Sequence, residues 1–461
     1  MADGSLPTSD LKTTFEAMRD GFDLSTVPAI ADRRARLAEL YRALDADRDR
    51  IARAVSEDFG PRARIETLTA ETGFTLEALR DLRGRLPRWA KDRRSRVLRP
   101  VPGRAEVWRE PKGVVGVLSP WNYPLHLALV PLATAIAAGN RVMLKPSERS
   151  PATSDYLADL VARVFPPEEA AVVLGEADVA AAFSALPFDH LFFTGSTETG
   201  RKVAKAAAKN LTPVTLELGG KSPAIAMPGA DPSDHAGAIA WGKWFSAGQT
   251  CVAPDFLMVP RGSAPAWADA LLEQAGRYLA SDGAYTAMID ARAHDRMAAM
   301  VAEARKAGGD IRALSAEPPH FPPTVVLSPP EDSALMREEI FGPVLPIVEH
   351  DGPDDIVVRQ RGQTPLALYA FGPDRKAAAA LLRRIRSGGA ATGLPLAHLA
   401  VHELPFGGIG ASGMGAYHGD RGLEAFSHER SVFHVARGPW AKLLLPPHPP
   451  MVEGLLRRMI R

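Results

Sequence analysis

The amino-acid sequence predicts an α/β protein built around a doubly wound parallel sheet, and three observations carry that expectation. From Gly113 onward, short apolar runs of the length buried in parallel strands alternate with helical stretches. Polar and glycine-rich loops follow these runs, at the carboxyl ends of strands where such sheets bind ligands. At 461 residues the chain is also too long for one ordinary core, so two or three domains are expected.

Taken in order, residues from about Thr8 to Ala90 are expected to be mostly helical. Leu37, Leu40, Tyr41, Leu44, Ile51 and Val55 recur at steps that suit one helical face, with Arg and Asp between them. Arg96 to Glu110 changes character, with apolar residues on both sides of Pro102-Gly103, a pattern that suits a projecting hairpin. Strands are then expected at Val114–Leu118, Arg141–Leu144, Ala171–Gly175, His190–Phe193 and Pro213–Glu217. The very apolar stretch Leu125–Ala138 suits a buried helix, and Ser154–Val164 is expected to be helical. A further region opens at Ser222 and again alternates apolar runs with helices, including a strand at Val344–Val348. The glycine-rich stretch Leu404–Gly415 suits an ordered loop that runs close to something. After a proline-rich tail, Met451–Ile460 has the pattern of a short amphipathic helix that packs on the body or on a partner subunit.

Composition narrows the class. Lys plus Arg (55) nearly balances Asp plus Glu (54), which offers no global attraction to nucleic acid or acidic membranes. One cysteine cannot form an internal disulfide. No apolar signal core opens the chain and no run reaches the length of a membrane span, so a soluble cytoplasmic protein is expected.

That single cysteine, Cys251, has two readings: a small buried hydrophobe, or a nucleophile whose thiolate attacks carbonyl carbon and can leave again. Gly248, Gln249 and Thr250 before it suit an exposed turn beneath a reacting carbon. Glu217 ends a strand ahead of paired glycines; it is either an exposed strand-end acid or a desolvated general base. Asn122 is either a turn former or an amide that donates to a developing oxyanion. Lys145 and Glu148 form either a surface ion pair or a clasp for two ribose hydroxyls. Gly195-Ser196-Thr197-Glu198-Thr199-Gly200 resembles a phosphate-binding turn at a helix start, although the second glycine of the usual fingerprint is absent.

Together and in order, these segments resemble the aldehyde dehydrogenase superfamily. The residues that carry the likeness are Pro120-Trp121-Asn122, Lys145-Pro146-Ser147-Glu148, Phe193-Thr194-Gly195-Ser196-Thr197, Glu217-Leu218-Gly219-Gly220-Lys221-Ser222-Pro223, Gly248-Gln249-Thr250-Cys251 and Glu339-Ile340-Phe341-Gly342-Pro343. The likeness runs from about residue 30 to residue 435. Asp58-Phe59-Gly60, Leu186-Pro187-Phe188-Asp189-His190, Asn210–Thr215 and Gly413–Gly419 resemble the dimeric class and, within it, the bacterial coniferyl-aldehyde dehydrogenase type.

The resemblance implies a Rossmann-like cofactor domain (1–95 and 112–217), an α/β thiol domain (218–412), and a β oligomerisation arm with a tail (96–111 and 413–461). It implies a homodimer, an aldehyde as the small-molecule substrate and no metal. It makes Cys251 the nucleophile, Glu217 the base and Asn122 an oxyanion donor. It gives the cofactor to Trp121, Lys145, Glu148, Gly195, Ser196, Gly200, Leu218, Gly219, Glu339 and Phe341. Glu148 would bond a 2′-hydroxyl and repel a 2′-phosphate, which favours NAD, with NADP possible. The chain departs from its relatives at Ala390-Ala391-Thr392-Gly393-Leu394-Pro395, a stretch that normally shapes the substrate side of the pocket. The alternatives are an acylating or reductive enzyme, and a silent binding protein on the same fold.

Overall fold

The computed structural model describes residues 8–98, 101–280, 285–438, 445–448 and 450–459. Its helical N-terminal layer includes Ile30–Ala46, Arg48–Phe59 and Phe74–Trp89; Leu37, Leu40, Leu44, Ile51 and Val55 of the expected stripe are buried and Tyr41 is partly exposed. Between the second and third of these helices, the segment Arg64–Glu66 continues into a π-helix over Thr67–Gly73.

The five expected strands form one parallel sheet. Its order is Val214–Glu217, His190–Thr194, Val114–Leu118, Arg141–Lys145 and Ala170–Val172, and Gly413–Met414 adds an antiparallel edge beside the first. The third strand in chain order is shorter than expected, ending at Val172. Val114–Leu118 is buried at every position, as a central parallel strand with both faces covered should be. The helix His126–Ala138 that follows is buried all round, which explains its apolar composition, and it carries Pro131 in its interior. In this register Thr194 stands opposite Glu217, and Leu118 opposite both Phe193 and Lys145. The strand ends that carry the candidate residues are therefore neighbours.

A second, seven-stranded sheet runs Asp310–Ala313, Thr324–Leu327, Val344–His350, Phe256–Pro260, Pro223–Ala226, Ala367–Phe371 and Gly389–Thr392. The pair at the Asp310 end is antiparallel and the other pairs are parallel. Its core includes Ile225, Met258, Leu368 and Leu381.

The glycine-rich loop does run close to something. Leu218 N–H donates to Ser412 O at 3.1 Å, and a Cβ on Gly413 would collide with the carbonyl of Leu216. Glycine there lets the loop lie against the strand that ends in Glu217.

The chain divides into two compact units. The larger runs up to Trp89 and over Pro111–Ser427. The smaller contains Ala90–Glu110 and the chain from His428. It holds a three-stranded sheet of Arg93–Val97, Gly103–Pro111 and Ser427–Val435, with the helix Pro450–Met459 in the tail. Residues 413–427, grouped with the tail in the sequence reading, lie in the larger unit because Gly413–Met414 pairs with Leu216 and Glu217. Arg99 and Pro100 of the expected hairpin and Ile460 of the expected tail helix lie outside the described residues. Among the described residues no helix is long and apolar enough to cross a membrane, and no cluster of His, Cys, Asp or Glu could hold a metal ion.

Candidate active site

Cys251 follows a short turn, Phe245–Gly248, in which Ser246 (φ 53°), Ala247 (φ 51°) and Gly248 (φ 72°) are all left-handed. Such conformations cost roughly 1–2 kcal/mol for each residue with a Cβ, so the surroundings must hold them. A Cβ on Gly248 would collide with the carbonyls of Gly342 and Lys243. The bracing comes from Gln249, which is fully buried. Its Nε2 donates to Ser246 O at 3.1 Å and Ala287 O at 3.0 Å, and its Oε1 accepts from Ile289 N–H at 3.0 Å. Tyr369 hydroxyl donates to Val252 O at 2.7 Å.

The expectation of an exposed turn is thereby corrected. Gln249 and Thr250 are buried, Gln249 bracing the backbone and Thr250 sharing a hydroxyl–hydroxyl hydrogen bond with Tyr123 at 2.6 Å, while Cys251 itself is half-buried. Polar side chains were a sign of internal hydrogen bonding here, not of solvent.

Two cavities meet at Cys251. The first, about 280 Å³, is a cleft bounded by Trp121, Asn122, Gly195, Ser196, Glu217, Leu218, Gly219, Glu339 and Phe341. It brings together most of the residues picked out from sequence. The second, about 510 Å³, is an apolar chamber whose walls include Phe74, Tyr123, Trp241, Phe245, Phe406 and Tyr417. The departing segment Ala390–Pro395 leads directly into Leu396 and Leu399, which also line this chamber.

Glu217 is 2% exposed, and neither carboxylate oxygen has a hydrogen-bond partner in the protein. Burial pushes its carboxyl well above the usual carboxylate range. Burial likewise pushes the Cys251 thiol up to about 12, and the carboxylates of Glu339 and Glu217 add to this. The N–H groups of Cys251 and Val252 pull it the other way. Burial thus disfavours the charged form of both side chains. Asn122 is also buried; its Nδ2 donates to Gln249 O at 2.9 Å, which ties it to the turn before the sulfur.

The cleft suits a dinucleotide. Ser196 caps the helix Thr197–Ala208 at the end of a parallel strand, where backbone N–H groups attract phosphate. The Thr194 hydroxyl on the cleft wall is buried and unpartnered. A Cβ on Gly219 would overlap the Glu339 carboxylate, so glycine is required for that approach. Burial beside Asp255 raises Glu339 to about 8 against the Gly220 N–H and the cations Lys221 and Arg296. Phe341 (φ 52°) meets the Trp121 ring edge-on at 5.4 Å between centroids.

Three of the sequence-derived residues do not line this cleft. Gly200 is buried one turn into its helix, where a Cβ would collide with Leu218, so it serves close helix packing. Lys145 is buried and Glu148 partly exposed at the end of the adjacent strand, with Lys145 Nζ at 3.1 Å from Glu148 Oε2. Sequence reasoning missed Arg149, which stacks over Trp121 at 4.4 Å, and Arg296, which donates to the carbonyls of Glu339 and Ile340 at 2.8 and 2.7 Å. It also missed Arg62, Glu66 and Glu71, which reach the site from the helical layer. A basic residue directly after Glu148 was the one available hint.

With the site laid out, comparison with known proteins fixes the family. The profile described as "Aldehyde dehydrogenase family" matches residues 5–432. The chain is 41% identical over 459 residues to a probable coniferyl aldehyde dehydrogenase of Pseudomonas aeruginosa, covering 98% of this chain and 96% of that one. It is 41% identical over 418 residues to a coniferyl aldehyde dehydrogenase of a Pseudomonas species, covering 86% and 85%. Among solved structures, the substrate-bound AldH of Staphylococcus aureus superposes with a TM-score of 0.91 at 31% identity, covering 98% of this chain and 99% of that one. An aldehyde dehydrogenase of Mycobacterium tuberculosis complexed with NAD+ gives 0.85 at 27% identity, covering 93% and 90%. The chain belongs to the aldehyde dehydrogenase family, oxidoreductases that oxidise an aldehyde with NAD or NADP as acceptor.

Proposed function

We infer that Cys251 is the nucleophile and that the substrate is a largely apolar aldehyde, aromatic like coniferyl aldehyde or a medium to long aliphatic chain. One observation carries this reading: Cys251 is the nucleophilic side chain at which a glycine-lined polar cleft and an apolar chamber meet. The names of the Pseudomonas relatives favour the aromatic member of the class.

In this mechanism Cys251 sulfur attacks the aldehyde carbon to give a thiohemiacetal, with the oxyanion held by Asn122 Nδ2–H and the Cys251 N–H. The bound dinucleotide supplies the hydride acceptor and a positive ring whose charge favours the ionised thiol. Loss of hydride leaves a thioester on Cys251. Glu217 takes a proton from water as it attacks the thioester, the carboxylic acid departs, and Cys251 leaves as thiolate. Trp121, Gly195, Ser196, Leu218, Gly219, Glu339 and Phe341 would hold the dinucleotide, together with Lys145 and Glu148, and Gly200 would support the phosphate turn by letting its helix pack closely on Leu218. Residues 1–95 and 112–217, with the five parallel strands of the first sheet, form the cofactor domain and residues 218–412 the thiol domain. Glu148 favours NAD over NADP by repelling a 2′-phosphate.

The protein is a cytoplasmic homodimer in this reading. The dimer forms through the three-stranded arm, where the strand Ser427–Val435 presents exposed Phe433 and Val435. Sedimentation equilibrium tests this, and a monomer would refute it.

The function is tested by incubating the protein with NAD and a panel of cinnamyl, benzyl and aliphatic aldehydes while following NADH and acid together. NADH with stoichiometric acid is expected. NADH that appears only with coenzyme A would assign acylating chemistry instead, and no NADH from any aldehyde would leave a binding protein.

A further inference from the structure

Asn122 belongs to a loop that is gripped from beneath by a fully buried ion pair. Arg62 Nη1 donates to the backbone carbonyl of Asn122 at 2.7 Å and lies 3.5 Å from Glu71 Oε1; both side chains are 0% exposed. The guanidinium sits between the rings of Phe59 and Tyr123, at 4.6 and 4.9 Å. Glu71 Oε2 accepts the backbone N–H of His126 at 2.8 Å, and Leu125 N–H also reaches this carboxylate. The pair thus holds the Asn122 loop by a carbonyl at one end and by the first amides of the buried helix at the other.

The segment that carries Glu71 also reaches the nucleophile. Glu66 Oε1 accepts from Ser246 N–H at 2.9 Å, the first left-handed residue of the turn before Cys251. Its Oε2 accepts from the Thr286 hydroxyl at 2.5 Å. Residues five apart do not share a face of an α-helix, but the i→i+5 bonding of a π-turn brings them together. Here Thr67–Gly73 is such a turn, with Phe74 N–H donating to Thr69 O. Gly73 permits it, since a Cβ there would lie 2.7 Å from Leu68 O. The π-segment and the residue that opens it, Glu66, therefore send one carboxylate to the oxyanion loop and another to the thiol turn.

Buried charges are costly unless a role retains them, and apolar replacements of such pairs are often tolerated or stabilising. Arg62 Nε and Nη2 and Glu71 Oε1 have no hydrogen-bond partner, so the pair is not optimised for stability. We propose that Arg62 and Glu71 are positioning residues for the reaction, holding the Asn122 amide at the distance from Cys251 that the oxyanion requires. The inference rests on Asn122 as the oxyanion donor. Nothing about Arg62 touches substrate or cofactor; it acts through the loop.

A double-mutant cycle tests it, using kcat/KM for a cinnamyl aldehyde and thermal unfolding as a check of folding. Asn122→Ala should lower kcat/KM roughly 100- to 1,000-fold. Arg62→Met should lower it by roughly 30- to 100-fold, because displacing a catalytic group by about 1 Å costs that much. Glu71, which burial already pushes up to about 7, can take up a proton in this variant and spare the core a lone charge. Arg62→Lys keeps the charge but cannot span both Asn122 O and Glu71; a loss of about tenfold is expected. In the Asn122→Ala background either Arg62 substitution should cost less than about threefold more, since the group it positions is gone. Full additivity of either variant, or no loss from both, would overturn the positioning role while leaving Asn122 as the donor. An Asn122→Ala enzyme with full activity would overturn the oxyanion assignment and this inference with it.

Discussion

Replacing Glu217 by glutamine should separate the two halves of the reaction. The side chain is 2% exposed with both oxygens unpartnered, so the amide fits the same space without breaking a hydrogen bond in the protein. What it removes is a base. General-base catalysis contributes roughly 100- to 10,000-fold, so steady-state turnover should fall within that range. Oxidation needs no water, and the enzyme should therefore still produce one NADH per Cys251 before stalling as the thioester. Stopped-flow absorbance reads the burst, and intact-protein mass reads the trapped acyl group. A second consequence follows from the raised carboxyl. Its folded-state pKa lies above the ordinary value of 4.5, so its contribution to stability is complete below that value and declines as the pH rises toward the folded one. Each unit of elevation corresponds to about 1.4 kcal/mol. Glutamine does not titrate, so the stability gap should move in favour of Glu217→Gln as pH increases, read by urea unfolding across pH. Full turnover in the variant, or turnover lost with no burst, would refute the assignment of Glu217 to hydrolysis.

Phe74→Ala opens the wall of the apolar chamber and should weaken kcat/KM for cinnamyl aldehydes by roughly 10- to 200-fold, with the NAD dissociation constant unchanged by fluorescence titration. Gly248→Ala forces a Cβ against two backbone carbonyls at φ 72° and should destabilise the protein by more than about 2 kcal/mol in urea unfolding. Glu148→Ala removes the partly exposed carboxylate beside Lys145 and should raise the NADP-to-NAD ratio of kcat/KM by about tenfold, the effect of roughly 1.4 kcal/mol.

The parallel sheet was legible because its strands are short apolar runs that only a doubly covered sheet can bury, as at Val114–Leu118. That Cys251, Glu217 and Asn122 would lie round one cleft was legible because Glu217 ends one parallel strand and Asn122 lies in the loop after another, at the carboxyl edge where the topology gathers them. What was hidden depended on tertiary hydrogen bonding. Gln249 and Thr250 suggested solvent, yet the amide of Gln249 is spent on Ser246, Ala287 and Ile289. Arg62, Glu66 and Glu71 fit no helical face, because the π-turn that aligns Glu66 with Glu71 leaves no period in the sequence. Gly200 reads as part of a phosphate turn; that its missing side chain also makes room for Leu218 left no mark in the sequence.

The central claim is that Cys251 carries the acyl group where the cleft and the chamber meet. Because the chain has one cysteine, acid-quenching the enzyme during turnover of a cinnamyl aldehyde and mapping peptides by mass spectrometry tests it directly. The acyl mass should appear on the peptide containing Cys251, and Cys251→Ala should show neither the adduct nor NADH. An adduct on another residue, or NADH formation that survives in Cys251→Ala, would contradict it.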